Sequence, residues 1–183
     1  MTIIVEQDTT SLIFRLVGDT YATAKAWEDT LDSRVFKHEI ATGLTPSGRP
    51  VDDTWLKVAH LAQDQGIRIP PWYGSIQGAY SYEFRFLPNS PIVHCSNSET
   101  GDTLELTNTA ASTAALPIEG AYLGFPIDGQ SYFQLSNWEH WAATQACSSR
   151  YHYRFVPTTV VGIARVYDSI SRTEIDITDY GED

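Results

Sequence analysis

The chain has 183 residues, of which 42% are hydrophobic and 19% charged, a size and composition that fit one folded domain and exclude a disordered chain. Its 23 acidic residues against 12 basic ones leave a net charge of −11, the wrong sign for gripping a nucleic-acid backbone. No run approaches the roughly 18 consecutive apolar residues of a membrane span, and the start, MTIIVEQD, lacks the basic and apolar stretches of a signal peptide, so a soluble cytoplasmic protein is expected.

Residues 2–17 read as one or two strands, because Ser11-Leu-Ile-Phe-Arg-Leu-Val17 is short, apolar and rich in β formers, and Gly18-Asp19 ends it. A helix comes next, with Asp19 placed to cap it. Tyr21, Ala24, Trp27, Leu31 and Val35 recur at steps of three and four and so share one face, which leaves Lys25, Glu28, Asp29 and Asp32 for the solvent side. Residues 42–50 form a loop by composition. A second helix is expected from about Asp52 to Gln65, with Trp55, Val58, Ala59 and Ala62 as its buried stripe and Gly66 as its stop. Asp52 and Asp53 stand at its start, where carboxylates favour the helix dipole. The prolines then make Ile67-Arg-Ile-Pro-Pro-Trp-Tyr-Gly74 extended.

The middle reads as strands: the aromatic-rich stretch from Ile76 to Leu87, the short run from Pro91 to Cys95, and the alternating Thr103-Leu-Glu-Leu-Thr107. Residues 108–117 read as a loop, and Gly120, Gly124, Pro126 and Gly129 punctuate the next stretch. Ser136-Asn-Trp-Glu139 has capping-box spacing and is expected to open a short helix from Trp138 to about Cys147. Strands close the chain at 151–156, 160–167 and 172–178, the last two joined as a hairpin through Asp168-Ser-Ile-Ser171.

Tyr82-Glu-Phe-Arg-Phe-Leu-Pro88 and Tyr151-His-Tyr-Arg-Phe-Val-Pro157 match by residue type, and each leads through an apolar strand to an alternating one. The chain is therefore expected to contain two related three-stranded meanders that face or extend each other in one antiparallel sheet of six to eight strands. The expected fold class is α+β: a single domain over residues 1–183, mainly antiparallel sheet, with two early helices and one short later one.

Chemical signatures are absent: no phosphate loop, no Gly-x-Ser-x-Gly and no His-Glu-x-x-His occurs. Cys95 and Cys147 are read as unbridged thiols, too few for a disulfide scaffold. His94 and Cys95 are strand neighbours and point to opposite faces, so they serve no common site. His140, Cys147 and His152 lack the tight local spacing of a zinc site, so neither a metal nor any other cofactor is expected.

Between Arg85 and Arg150 there is no Lys or Arg, so Glu99, Asp102 and Glu105 have no cation nearby in sequence and could steer onto a basic partner. Trp72 and Tyr73, in the proline-rich stretch, are the aromatic contact candidates. Glu99, Asp102, Glu105, Trp72 and Tyr73 together point to a non-catalytic acidic module that binds or assembles with another protein inside a larger complex, for example as a virion or tail component, an accessory subunit or an inhibitor of a basic partner. The partner would carry a basic surface; an aromatic-rich edge strand could equally pair with a second copy of the chain. Two alternatives stand beside this reading. One is an enzyme whose site gathers His94, His140, Cys147 and His152; the other is a small-molecule-binding domain with the aromatic sheet as its pocket wall.

Overall fold

Burial alternates along residues 12–17, 82–86 and 151–156, and the inward side chains of these stretches build much of the core. A computed structural model describes residues 2–67, 79–88, 90–107, 121–158 and 162–181. The strands are β1 (Thr2–Gln7), β2 (Leu12–Val17), β3 (Tyr80–Leu87), β4 (Ser90–Asn97), β5 (Thr103–Thr107), β6 (Leu123–Ile127), β7 (Tyr151–Val156), β8 (Ile163–Asp168) and β9 (Thr173–Asp176). The helices are α1 (Gly18–Thr42), α2 (Asp53–Asp64) and α3 (Gly129–Asn137), with a 3₁₀ turn at Ala143–Gln145. The class is α+β with antiparallel pairing throughout the described residues.

The strands form two sheets, not the one expected: a three-stranded sheet ordered β1-β2-β6 and a six-stranded sheet ordered β5-β4-β3-β7-β8-β9. The sheets face each other through aromatic side chains. Phe14 of β2 lies 4.9 Å from Phe84 and 4.8 Å from Tyr153, ring centre to ring centre. Phe125 of β6 lies 4.9 Å from Tyr82 and 5.2 Å from Phe155. Tilted ring contacts at these separations are favourable beyond the area they bury. Residues of both sheets, with Ala24 of α1 and Leu135 of α3, belong to one buried cluster.

The six-stranded sheet is the pair of meanders joined side by side. β3 pairs with β7 so that Tyr82 opposes Phe155 and Phe84 opposes Tyr153. Phe84 and Tyr153 occupy equivalent places in the two repeated motifs, so a local two-fold axis passes through their pair. The registers outward obey it: Phe84–Val93–Leu106 on one side matches Tyr153–Val166–Ile175 on the other. The matching register therefore extends to the apolar and alternating strands that follow each motif.

Several local details differ from the sequence reading. α1 is capped by Val17 without a side-chain bond, and Asp19 lies in its first turn. The side of α1 assigned to solvent is half inside: Asp32 is buried and accepts from the Tyr80 hydroxyl at 2.6 Å, while Glu28 accepts from the Tyr82 hydroxyl. Tyrosine hydroxyls on β3 supply the partners that allow these carboxylates inside.

The later helix is α3, at Gly129–Asn137, not 138–147. Ser136 does not cap; its hydroxyl donates to the Phe133 carbonyl within the last turn. A helix begun at Trp138 would need the Ala142 amide for its own ladder. That amide instead donates to the Tyr151 hydroxyl at 3.0 Å, and the same hydroxyl donates to the His140 carbonyl at 2.7 Å. Tertiary hydrogen bonds thus take the groups that local helix formation would use.

α2 meets expectation at its start, where the Asp52 side chain accepts from the Trp55 amide, and at Ala59 and Ala62, which are buried. Val58 does not join that stripe and is 54% exposed. No helix among the described residues is long and apolar enough to cross a membrane.

Candidate functional site

The smaller sheet does not cover the larger one completely. Beyond β6 a groove of about 760 Å³ opens, a size suited to a small ligand or a few side chains. Its walls come from Leu123–Pro126 of β6, Phe155–Pro157 at the end of β7, and Gly162–Ala164 at the start of β8. Asp128, Ser131, Asp179 and Tyr180 stand around them.

Each wall arises from local sequence. Pro157 directly follows β7, where its fixed φ and missing amide suit a strand end. Gly162 has ordinary backbone geometry, and a Cβ built on it would meet nothing within 4 Å, so the groove there is open space. Ala164 is small enough to leave the floor low. On the far side the chain is pinned where Ile177 donates its amide to the Ala164 carbonyl and Thr178 accepts from the Ala164 amide, both with N···O near 3 Å (2.9 and 3.0 Å). This brings Asp179–Gly181 to the rim.

The charge at the rim has one sign. Asp128 and Asp179 are both exposed, and no Lys or Arg is among the lining residues. Asp128 precedes α3 but makes no side-chain cap, so its carboxylate is not committed to the helix. An apolar floor whose only charged lining groups are carboxylates suits an apolar group with a cation beside it.

A second cavity, about 380 Å³, lies between α1 and the β4–β5 turn and is lined by Arg34, His38, Pro46, Glu99 and Asp102 among others. Here the acidic candidates already have partners. Glu99 pairs with Arg49 and accepts from the Ser47 hydroxyl at 2.6 Å. Asp102 pairs with Arg34; the Thr100 hydroxyl first, and Arg34 next, hold its carboxyl below the usual range. Glu105 stands 3.5 Å from His94 across the β4–β5 pair. The cations missing locally in sequence are delivered by α1 as Arg34 and by the loop after it as Arg49, while β4 sets the His94 imidazole beside Glu105. Trp72 and Tyr73 lie outside the described residues.

Of the histidines and cysteines, only His38 lines either of these two cavities. His94 and His152 lie on the outer face of the six-stranded sheet, while Cys95 faces inward and is fully buried. Cys147 is exposed, and both cysteines are free. His38 and His60 are exposed on α1 and α2. No group of three or more His, Cys, Asp or Glu suited to a metal occurs among the described residues.

The outer face of the large sheet is polar and internally paired. One cross-strand row reads Glu105, His94, Glu83, Arg154, Arg165, Asp176, one residue per strand. Glu83 is at its centre, with Arg85 at 2.6 Å and Arg154 at 3.2 Å. Burial alone would raise its carboxyl, but the two arginines together outweigh that effect and lower it. His152 is lowered, by burial first and by Arg85 next. A paired face of this kind suits an antiparallel sheet with one side in water.

The groove has almost no signature in the sequence. Only the β6 wall, interrupted by Gly124 and Pro126, carries a weak β signal, and the three walls meet only through the packing of one sheet over the other. The chain matches no protein-family model, no curated protein and no solved structure.

Proposed function

We propose that this chain is a non-catalytic protein-binding or assembly module that holds an apolar anchor of a basic partner in the groove beside β6. The observation that carries this reading is the apolar groove with Asp128 and Asp179 at its rim and no cation among its lining residues. The overall charge of −11 adds long-range steering toward a basic surface. Glu99 and Asp102 contribute to that field while tied to arginines of the same chain, and Glu105 contributes from beside His94. A small apolar ligand is the second reading, favoured by the two phenylalanines, Phe125 and Phe155, in the lining.

The test is affinity capture from the native host at low and high salt, with wild type, Gly162→Trp and the double variant Asp128→Asn/Asp179→Asn. A Cβ at position 162 meets nothing within 4 Å, so the substitution starts from open space beside the groove walls. The expected result is a stoichiometric protein retained by wild type, lost with Gly162→Trp, and retained by the double variant without salt sensitivity and at lower yield. A partner retained equally by all three proteins contradicts the groove reading. A small molecule released from the purified wild type but not from Gly162→Trp replaces the protein partner with a ligand.

A further inference from the structure

Four successive residues of β6, Leu123 to Pro126, line the groove. Side chains of a strand alternate between faces, so a surface that meets four in a row runs along the strand's edge and touches its backbone. That edge is unpaired: in the β1-β2-β6 order, β6 is bonded on one side only among the described residues.

The phase of the ladder sets the direction of the free backbone groups. The Asp8 amide donates to the Ser11 carbonyl at 3.0 Å, which fixes that phase for the β1–β2 pair. By alternation Ile13, Arg15 and Val17 exchange bonds with β1, so Leu12, Phe14 and Leu16 exchange bonds with β6. Their partners are Ile127, Phe125 and Leu123. Gly124 and Pro126 therefore turn their backbone groups away from β2, toward the free edge. The position of Pro126 agrees, since a residue without an amide hydrogen fits a strand where its nitrogen faces outward. The free edge presents the Gly124 amide and the carbonyls of Gly124 and Pro126.

We propose that the partner binds as an extended segment that adds a fourth strand to the small sheet along β6. This rests on the groove as the binding surface and names the form of its occupant. The added strand exchanges a pair of bonds with Gly124 and donates a further one to the Pro126 carbonyl. Alternate side chains descend onto Phe155, Ile163 and Ala164, and a Lys or Arg reaches Asp128 or Asp179. Pro126 withholds the next donor, which limits the addition to a short segment and opposes open-ended edge pairing.

The experiment uses a displayed library of random ten-residue peptides, selected on the intact protein and counter-selected on Gly162→Trp. The winning peptide is resynthesised with a single N-methyl group at each position in turn. Strand addition predicts losses of about tenfold or more at alternate positions only, since each N-methyl removes one donor. It also predicts slower exchange of the Gly124 amide hydrogen in the complex. A peptide that depends on Gly162 but shows no period-two sensitivity and leaves Gly124 exchange unchanged overturns strand addition and keeps the groove. A library that yields no peptide dependent on Gly162 overturns both.

Discussion

Phe84 and Tyr153 oppose each other at the centre of the six-stranded sheet, at equivalent places in its two halves, yet only one carries a hydroxyl. Both are fully buried. The Tyr153 hydroxyl accepts from the Trp141 indole at 3.1 Å and donates to the Ala146 carbonyl at 2.9 Å, so it fastens the 138–147 segment to the sheet. Phe84, on the other half, meets Phe14 and Phe125 and has no such segment to hold.

Tyr153→Phe should therefore destabilise by about 1–3 kcal/mol, because it leaves a buried indole and a buried carbonyl without their partner. Phe84→Ala should cost more, about 3–5 kcal/mol, through lost burial and the cavity left behind. Urea unfolding of both variants checks the order.

Asp168 gives the fold an acid-sensitive joint. Its buried carboxylate receives Arg150 through two nitrogens at 3.0 and 2.6 Å, the Ile170 amide at 2.9 Å and the Ser171 hydroxyl at 2.9 Å. The Arg150 guanidinium, as the largest cause, holds its carboxyl far below the usual range. A carboxyl lowered by folding stabilises fully above its unfolded pKa of about 3.9 and loses that contribution as pH falls toward the folded value. Thermal unfolding between pH 7 and pH 2 should show Asp168→Asn already less stable at neutral pH, with a shallower decline on the acid side than wild type.

Glu28 acts in the opposite sense. Burial raises its carboxyl above the usual range, even with Lys25 at 3.1 Å. A carboxyl raised by folding gives stability that is present below its unfolded pKa and is lost as pH rises through the folded one. Glu28→Gln keeps an acceptor for the Tyr82 hydroxyl and removes this loss. Its unfolding midpoint at pH 7 should equal or exceed that of wild type, with the difference shrinking toward pH 4.

The tie between Glu99 and Arg49 should be a minor one energetically. Arg49 is largely exposed, and pairs of that kind contribute about 1 kcal/mol or less. Glu99→Gln should lower stability by no more than that, with the difference reduced in high salt, and should leave partner capture through the groove intact. Denaturant curves at two salt concentrations, beside the capture assay, check both parts.

The meanders were legible because aromatic alternation in Tyr82–Phe86 and Tyr151–Phe155 records a face buried on one side only. Their joining through β3 and β7 reflects the same repeat. α3 was not legible, since Gly129 and Pro126 read as punctuation and the competing hydrogen bonds from Tyr151 come from another part of the chain. Glu28 and Asp32 look like solvent-facing residues by periodicity, and only the positions of Tyr80 and Tyr82 show otherwise. Sequence distance from cations also overstated the freedom of Glu99 and Asp102, because folding brings Arg49 and Arg34 across 50 and 68 positions of the chain to meet them.

The most direct measurement is hydrogen–deuterium exchange on the captured complex against the free chain. The account predicts slowed exchange at 123–128 and 162–164, with 97–107 and the outer strand face unchanged. Protection confined to 97–107, or to the Glu83–Arg154 face, with the groove exchanging as in the free chain, would contradict it.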